Sequence, residues 1–534
     1  MISRLLILLF VILVLASSCA IQVSPTGGTK DTIPPVVKKS DPENFSTGFS
    51  GQDIQIYFDE YIELKDLPSQ LIVSPPLKYN PETKLKKKTL EIHLVDTLHP
   101  NTTYTMNFGN AIADLREGNA IEDFQYVFST GDIIDSLKVS GLVQSAFDDK
   151  TEKGIYVMLY RAMEDSAPLK NLPDYFTKTN EDGSFEIKNI SPGSYGIFAL
   201  KDNNTNYLFD NNEESIAFSD VMTEAGSSDN TLKLFREKRN QQLLKVSTEE
   251  PGKVTIAYTQ PLVDEKLIFL SDTAALKINS IVYSEKRDTL TIWYSNAQSD
   301  SLMFIIQQDT LSDTIAPRLR RLETIKSEKS NVTLKTQYES GSMQGLNVNS
   351  PVEIIFNHPI ATYDFSKIVV NEDTMPMEDV AFNFTDSLRR ILLIDFKRKE
   401  KTKYQVVIPK GSFKDIIGLE IDSTEIFFST RSITDYGTMA ISMSLPAGKS
   451  YIVQLIDDQE TVYRQSVFHS DTLINYEYLE PRSYRLKLIE DSNKNGEWDT
   501  GNYLNHLQPE KILYYKEVLT VRANWDVDVK WKAE

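Results

Sequence analysis

Ile54-Gln55-Ile56-Tyr57-Phe58-Asp59-Glu60-Tyr61-Ile62 reads as one strand and the turn that ends it. Apolar and polar side chains alternate up to Phe58, so one face of an extended segment is oily and the other is wet. The same grammar continues outward from this stretch. Thr89-Leu90-Glu91-Ile92-His93-Leu94 and Thr289-Leu290-Thr291-Ile292-Trp293-Tyr294 are short, rich in β-branched and aromatic residues, and alternate with period two. Turn clusters separate such runs by roughly 8–12 residues, the spacing of β-sandwiches. No long segment carries a 3.6-residue period. Only Ala111–Leu115 and Phe413–Ile417 read as short turns of helix. The expected fold class is all-β, built as tandem β-sandwiches.

Internal repeats set the expected organisation. Ile54–Ile62 returns as Val352-Glu353-Ile354-Ile355-Phe356-Asn357-His358-Pro359-Ile360. Thr103-Tyr104 returns as Lys403-Tyr404, and Phe128-Ser129-Thr130 as Phe428-Ser429-Thr430, both 300 residues on. This order of strands resembles the bacterial Ig-like domain of S-layer and envelope proteins, including its Thr-x-Pro-Pro opening at Thr32–Pro35. A second pair has an offset of 289: Asp182-Gly183-Ser184-Phe185 with Asp471-Thr472-Leu473-Ile474, and Pro192-Gly193-Ser194-Tyr195 with Pro481-Arg482-Ser483-Tyr484. That pair resembles the transthyretin-like, carboxypeptidase-regulatory-like sandwich, although the later copy lacks the usual Gly-x-Val opening. The expected domains are Ig-like at 36–132 and 330–432, transthyretin-like at 136–236 and 436–534, and a divergent Ig-like sandwich at 243–322 without a closing Phe-Ser-Thr strand.

The N-terminus bears on location. Arg4 precedes an apolar run from Leu5 to Ala16, too short for a membrane span of ~20 residues and suited to a signal peptide. Leu15-Ala16-Ser17-Ser18-Cys19 resembles a bacterial lipoprotein signal, which implies cleavage after residue 18 and lipidation of Cys19. Residues 19–35, with Gly27-Gly28 and Pro34-Pro35, then read as a flexible tether. The whole order resembles a Bacteroidota outer-membrane lipoprotein family, which implies a lipid-anchored place in the envelope and partners there.

Composition excludes several classes. The 534 residues carry a net charge of −19, against the clustered basic surface that nucleic acid requires. A single cysteine excludes intrachain disulfides and cysteine-rich zinc sites. Gly-x-Ser-x-Gly, His-Glu-x-x-His and a P-loop are all absent, and five scattered histidines give little material for acid–base work. No enzyme is expected. Paired acids such as Asp59-Glu60 are ordinary in a chain with 76 of them.

Two loops carry candidate chemistry. Asp491, Asn493, Asn495 and Asp499, with Gly496 between, occupy most positions of a calcium loop, where hard oxygen ligands wrap the ion. Asp202, Asn204, Asn206 and Asp210 repeat the pattern, with Glu213 at the twelfth position and Tyr207 where glycine is wanted. The alternative is a hairpin closed by Asx turns. Calcium is the only cofactor these residues suggest. Asp-(Ser/Thr)-apolar triplets occur thirteen times, counting Thr as the third residue, and place Thr97, Thr289, Thr310 and Thr472 in a pattern similar to the Bacteroidota O-glycosylation sequon. The same triplet is also a natural turn-to-strand junction. Lys84–Lys88 reads as a solvated hairpin arm, and Trp498, Trp525 and Trp531 as core packing or an exposed recognition patch. The expected role is a non-catalytic scaffold or binding subunit of an outer-membrane assembly or transport complex; the alternative is glycan binding in adhesion.

Overall fold

The computed structural model describes residues 31–161, 164–210, 213–271, 277–295, 302–308, 311–320, 332–335 and 345–533. Cys19, most of the tether and Thr310 lie outside them. The described chain is all-β: strands gather into small, mostly antiparallel sheets that pack in pairs around separate apolar cores.

The first and fourth units share a strand order. Val37–Asp41, Asp53–Phe58, Thr89–His93 and Glu82–Lys86 form one sheet of the first unit, and Ile72–Ser74, Thr103–Asn107 and Gln125–Ser129 the other. Ile54, Ile56 and Phe58 point into the core, as their alternation requires. The recurring Thr-x-Tyr and Phe-Ser-Thr motifs have a shared physical cause. Buried Tyr104 accepts a hydrogen bond from His99 N–H at 2.8 Å, and Tyr404 accepts one from Lys399 N–H at 2.8 Å. Thr130 accepts from Thr102 N–H at 3.0 Å, and Thr430 from Thr402 N–H at 3.1 Å. Each motif pins the same inter-strand corner by giving two of its backbone N–H groups a side-chain acceptor.

The expected helical turns at Ala111–Leu115 and Phe413–Ile417 are instead strands: Ile112–Asp114 pairs with Ile62–Leu64, and Phe413–Asp415 with Ile360–Tyr363. Buried Asp114 accepts the N–H groups of Arg116, Glu117, Gly118 and Asn119. The carboxylate gathers the donors that a helix would have used internally, so the chain turns back instead of coiling.

The second and fifth units also share a topology. Each has a three-stranded sheet closed by a parallel strand, Asn230–Leu234 beside Leu137–Ser145 and Asp526–Lys532 beside Gly437–Ser444. Each has a second sheet built on a long strand, Ser194–Lys201 or Ser483–Asp491. The Pro-x-Ser-Tyr motif opens that strand: Tyr195 donates to Ser191 O at 2.9 Å and Tyr484 to Glu480 O at 3.0 Å. The third unit pairs a four-stranded sheet with a three-stranded one.

Neighbouring units are joined by directed contacts. Phe176 N–H donates to Ser74 Oγ at 3.0 Å between the first two. At the third and fourth, fully buried Trp293 meets His358 edge-on at 5.9 Å, with Arg390 5.2 Å and Lys253 5.5 Å from its ring. Arg431 pairs with Glu480 at 2.6 Å between the fourth and fifth.

Candidate functional site: twin Asp/Asn loops

Strand Ser483–Asp491 delivers buried Asp491 to the start of the C-terminal loop. Its carboxylate accepts Asn495 N–H at 3.1 Å and Gly496 N–H at 3.0 Å, wrapping the chain around itself. The Asn493 and Asn495 amides both reach Asp499 Oδ2 at 2.6 Å. Glu510, from beyond the loop, accepts Ser492 N–H at 2.6 Å and Asp499 N–H at 3.0 Å. Burial pushes the Glu510 carboxyl above the usual range, and the nearby Asp499 and Asp491 charges add to that rise. Burial also acts upward on Asp499, but Lys238 and the two amides outweigh it and hold this carboxyl below its ordinary value.

The earlier loop follows strand Ser194–Lys201 in the same way. Asp202 accepts Asn204, Thr205 and Tyr207 N–H groups, and the Asn204 and Asn206 amides reach Asp210 at 3.2 and 2.7 Å. Left-handed backbone falls at matching places, Thr205 and Tyr207 in one loop and Lys494 and Gly496 in the other. Tyr207 thus fills the glycine position itself, at φ 62°. Its ring, 5.0 Å from Phe176 and 5.3 Å from Tyr156, packs firmly enough to offset that strain.

One predicted ligand is displaced. Glu213 turns away from the loop to pair with Arg236 and Arg239 at 3.1 and 2.7 Å. Its neighbour Glu214 is the acid that enters, almost fully buried, accepting Asn203 N–H at 3.2 Å and Asp210 N–H at 3.3 Å. The two acids stand in the turn just ahead of strand Ser215–Phe218, and the path of that turn points Glu214 inward and Glu213 outward. Glu214 and Glu510 escaped sequence reading because Glu510 lies outside the loop spacing and Glu214 is one residue off it. Their shared mark was an acid beyond each loop and just ahead of the strand that pairs back with its carrier.

Each loop therefore brings two aspartates, two asparagines and a buried glutamate together. Those oxygens suit a hard cation such as calcium, and either end of an asparagine amide fits the same space. Among the described residues, no group of three or more His, Cys, Asp or Glu side chains is gathered at metal-binding distances. Any cation set here would draw on the amides and on closure of the loop.

The other sequence candidates are dispersed. Thr97 is exposed in a loop, whereas Thr289 and Thr472 are half-buried first residues of strands. His93 pairs with Asp53 at 2.8 Å on a strand. His358 is buried against Asp415 at 2.8 Å, which the sequence did not flag. The tryptophans divide: Trp531 is core, Trp525 is exposed, and half-buried Trp498 donates to Glu510 O at 3.0 Å. Among the described residues, no helix is long and apolar enough to cross a membrane.

Residues 31–130 match a bacterial Ig-like domain. Solved structures to which the chain is similar include the S-layer protein SbsC, at 11 % identity over 88 % of this chain and 67 % of that one, with a TM-score of 0.14. Another is BcpA, the major pilin subunit of Bacillus cereus, at 8 % identity over 74 % of this chain and 99 % of that one, with a TM-score of 0.14. A third is a fragment of native alpha-2-macroglobulin from Escherichia coli spanning domains MG0-NIE-MG1, at 13 % identity over 50 % of this chain and 93 % of that one, with a TM-score of 0.12. The comparison with curated proteins gives no match.

Proposed function

We propose that this chain is a non-catalytic lipoprotein that displays a stack of β-sandwiches from the bacterial outer membrane, as a structural subunit of an envelope assembly or transport complex. The carrying observation is that successive units are fastened to each other by buried aromatic and ion-pair contacts, such as Trp293 with His358 and Arg431 with Glu480. A body so fastened holds its surfaces at fixed spacing, which suits display better than turnover. In this reading Cys19 carries the acyl chains, and the residues up to Pro35 form a tether reaching at most about 50 Å. The second and fifth units are transthyretin-like modules, a reading supported by their parallel closing strand. Their twin loops hold calcium as a structural ion.

A second reading, glycan capture, draws on an open groove of about 710 Å³ between the first two units. Asn107, Asn110, Gln125 and Lys188 line it, polar groups suited to sugar hydroxyls. Against it, exposed aromatics such as Phe45, Phe427 and Trp525 lie on separate units and form no common platform.

The test is fatty-acid labelling of the native protein and of Cys19→Ala, followed by mild-detergent pull-down from native membranes. The first reading expects label that depends on Cys19 and co-purifying envelope proteins. An unlabelled native protein overturns the anchor, and recovery of the labelled chain alone overturns the subunit role.

A further inference from the structure

In a free sandwich the outer face of a sheet is wet, yet two central strands of the second unit are oily on both faces. Tyr156–Tyr160 is buried at every position, and Ser194–Lys201 is buried from Tyr195 to Leu200. Such continuous burial requires a cover outside the sandwich. Part of that cover comes from the opposite end of the chain. Buried Tyr503 of the fifth unit stands edge-on to Phe198 at 5.7 Å and to Phe218 at 5.2 Å. Around it Thr500 Oγ1 donates to Arg236 O at 2.7 Å, Tyr503 N–H to Glu237 at 2.5 Å, and Gln508 Nε2 to Phe218 O at 3.1 Å. Lys238 pairs with Asp499.

A second contact runs the other way. Phe147 of the second unit seats its ring 3.5 Å from the Lys487 ammonium and edge-on to Trp498 at 5.1 Å. Its carbonyl accepts from both Lys487 Nζ at 2.8 Å and Tyr514 OH at 3.1 Å. Lys487 is fully buried, with Glu460 at 2.7 Å as its counter-charge. A desolvated cation held in this way makes the contact directional, because leaving it without Phe147 O would strand a buried donor.

We propose that the segment 498–508 is a clasp that folds the C-terminal unit back onto the second unit within one molecule, closing units two to five into a circuit with Tyr503 and Phe147 as its two pins. The third and fourth units bridge the remaining span, through the chain itself and through the Trp293 and Arg431 junctions. Closure removes the main hinge freedom of a string of sandwiches. Opening would bare the aromatic face of the second unit.

A carbodiimide tests this on the unmodified full chain at low micromolar concentration. It joins the Lys238 amine to the Asp499 carboxylate as an amide, with the lost water passing to the carbodiimide to give a urea. The expected result is a Lys238–Asp499 linked peptide in the monomer band. The Phe147→Ala, Tyr503→Ala pair should lower its yield at least about tenfold, the scale of losing a buried aromatic anchor, Tyr503, together with the partly exposed ring that seats Lys487. Amide exchange should rise in Ser194–Lys201 and Ser215–Phe218 and stay unchanged in the first unit. Lys238→Ala should abolish the link while exchange stays native. A missing link in the unmodified chain, a link found only between two copies, or native exchange in the double variant would each overturn the clasp. The cross-link on the unmodified chain decides the matter even if the double variant does not fold.

Discussion

Trp293 offers the sharpest quantitative test of the inter-unit packing. It lies on the outward face of strand Thr289–Ser295, yet it is fully buried because the fourth unit covers it with His358 and Arg390. Trp293→Ala removes a buried aromatic, a loss of about 3–5 kcal/mol, and leaves Lys253 and Arg390 without a π-face worth about 0.5–1 kcal/mol each. At about 4–8 °C per kcal/mol for a domain of this size, the transition of the third and fourth units should fall by about 12 °C or more. Trp293→Phe should behave differently. The indole N–H is buried with no partner among the described residues. Its removal recovers about 1–3 kcal/mol of unmet desolvation and offsets most of the lost ring area, leaving a net change within about 1 kcal/mol. Trp525→Ala, at a site 56 % exposed, should shift nothing measurable. Differential scanning calorimetry of the three variants reads all of this. If Trp293→Ala moves the profile no further than Trp525→Ala, the indole is not held between units and the reasoning fails.

Other expectations concern charge and modification. Asp114 is held down at about 2; burial acts upward on it, and four backbone N–H donors override that effect. Its folded value lies below the unfolded one, so its stabilisation is present above about 4 and lost as pH falls toward 2. Thermal unfolding of the wild type and Asp114→Asn should therefore differ at pH 6 and converge near pH 2. Glu510 has the opposite sign: its raised carboxyl costs stability as pH rises past its unfolded value near 4.5, and bound calcium should cancel that cost. Millimolar calcium should raise the melting temperature of the chain, and Asp491→Ala should remove the share owed to the C-terminal loop; no shift in the native protein ends the calcium reading. Intact mass of the exported protein should exceed that of the lipidated polypeptide if Thr97, Thr289, Thr310 or Thr472 carries glycan, with Thr97 modified first because it is the exposed one among those described.

The all-β class and the repeated strand grammar were legible in the order of residues alone. Both rest on interactions that are local or recur at fixed spacing. Alternation in Ile54–Phe58 sets which face is buried, and the Tyr104 and Tyr404 corners are closed by partners five residues earlier. The twin loops were legible for the same reason, since Asp491 bonds to donors four and five residues on. The remainder depended on how distant parts of the chain meet. The turn ahead of strand Ser215–Phe218 set Glu214 inward and Glu213 outward, although no spacing rule separates two adjacent acids. Trp293 stands at a solvent-facing position of its strand and Phe147 in a turn, yet each lies against another unit, because those contacts depend on surfaces far along the chain. Periodicity records which side of a strand is oily. Whether water, a neighbouring sandwich or the far end of the chain meets that side is set only when the units dock.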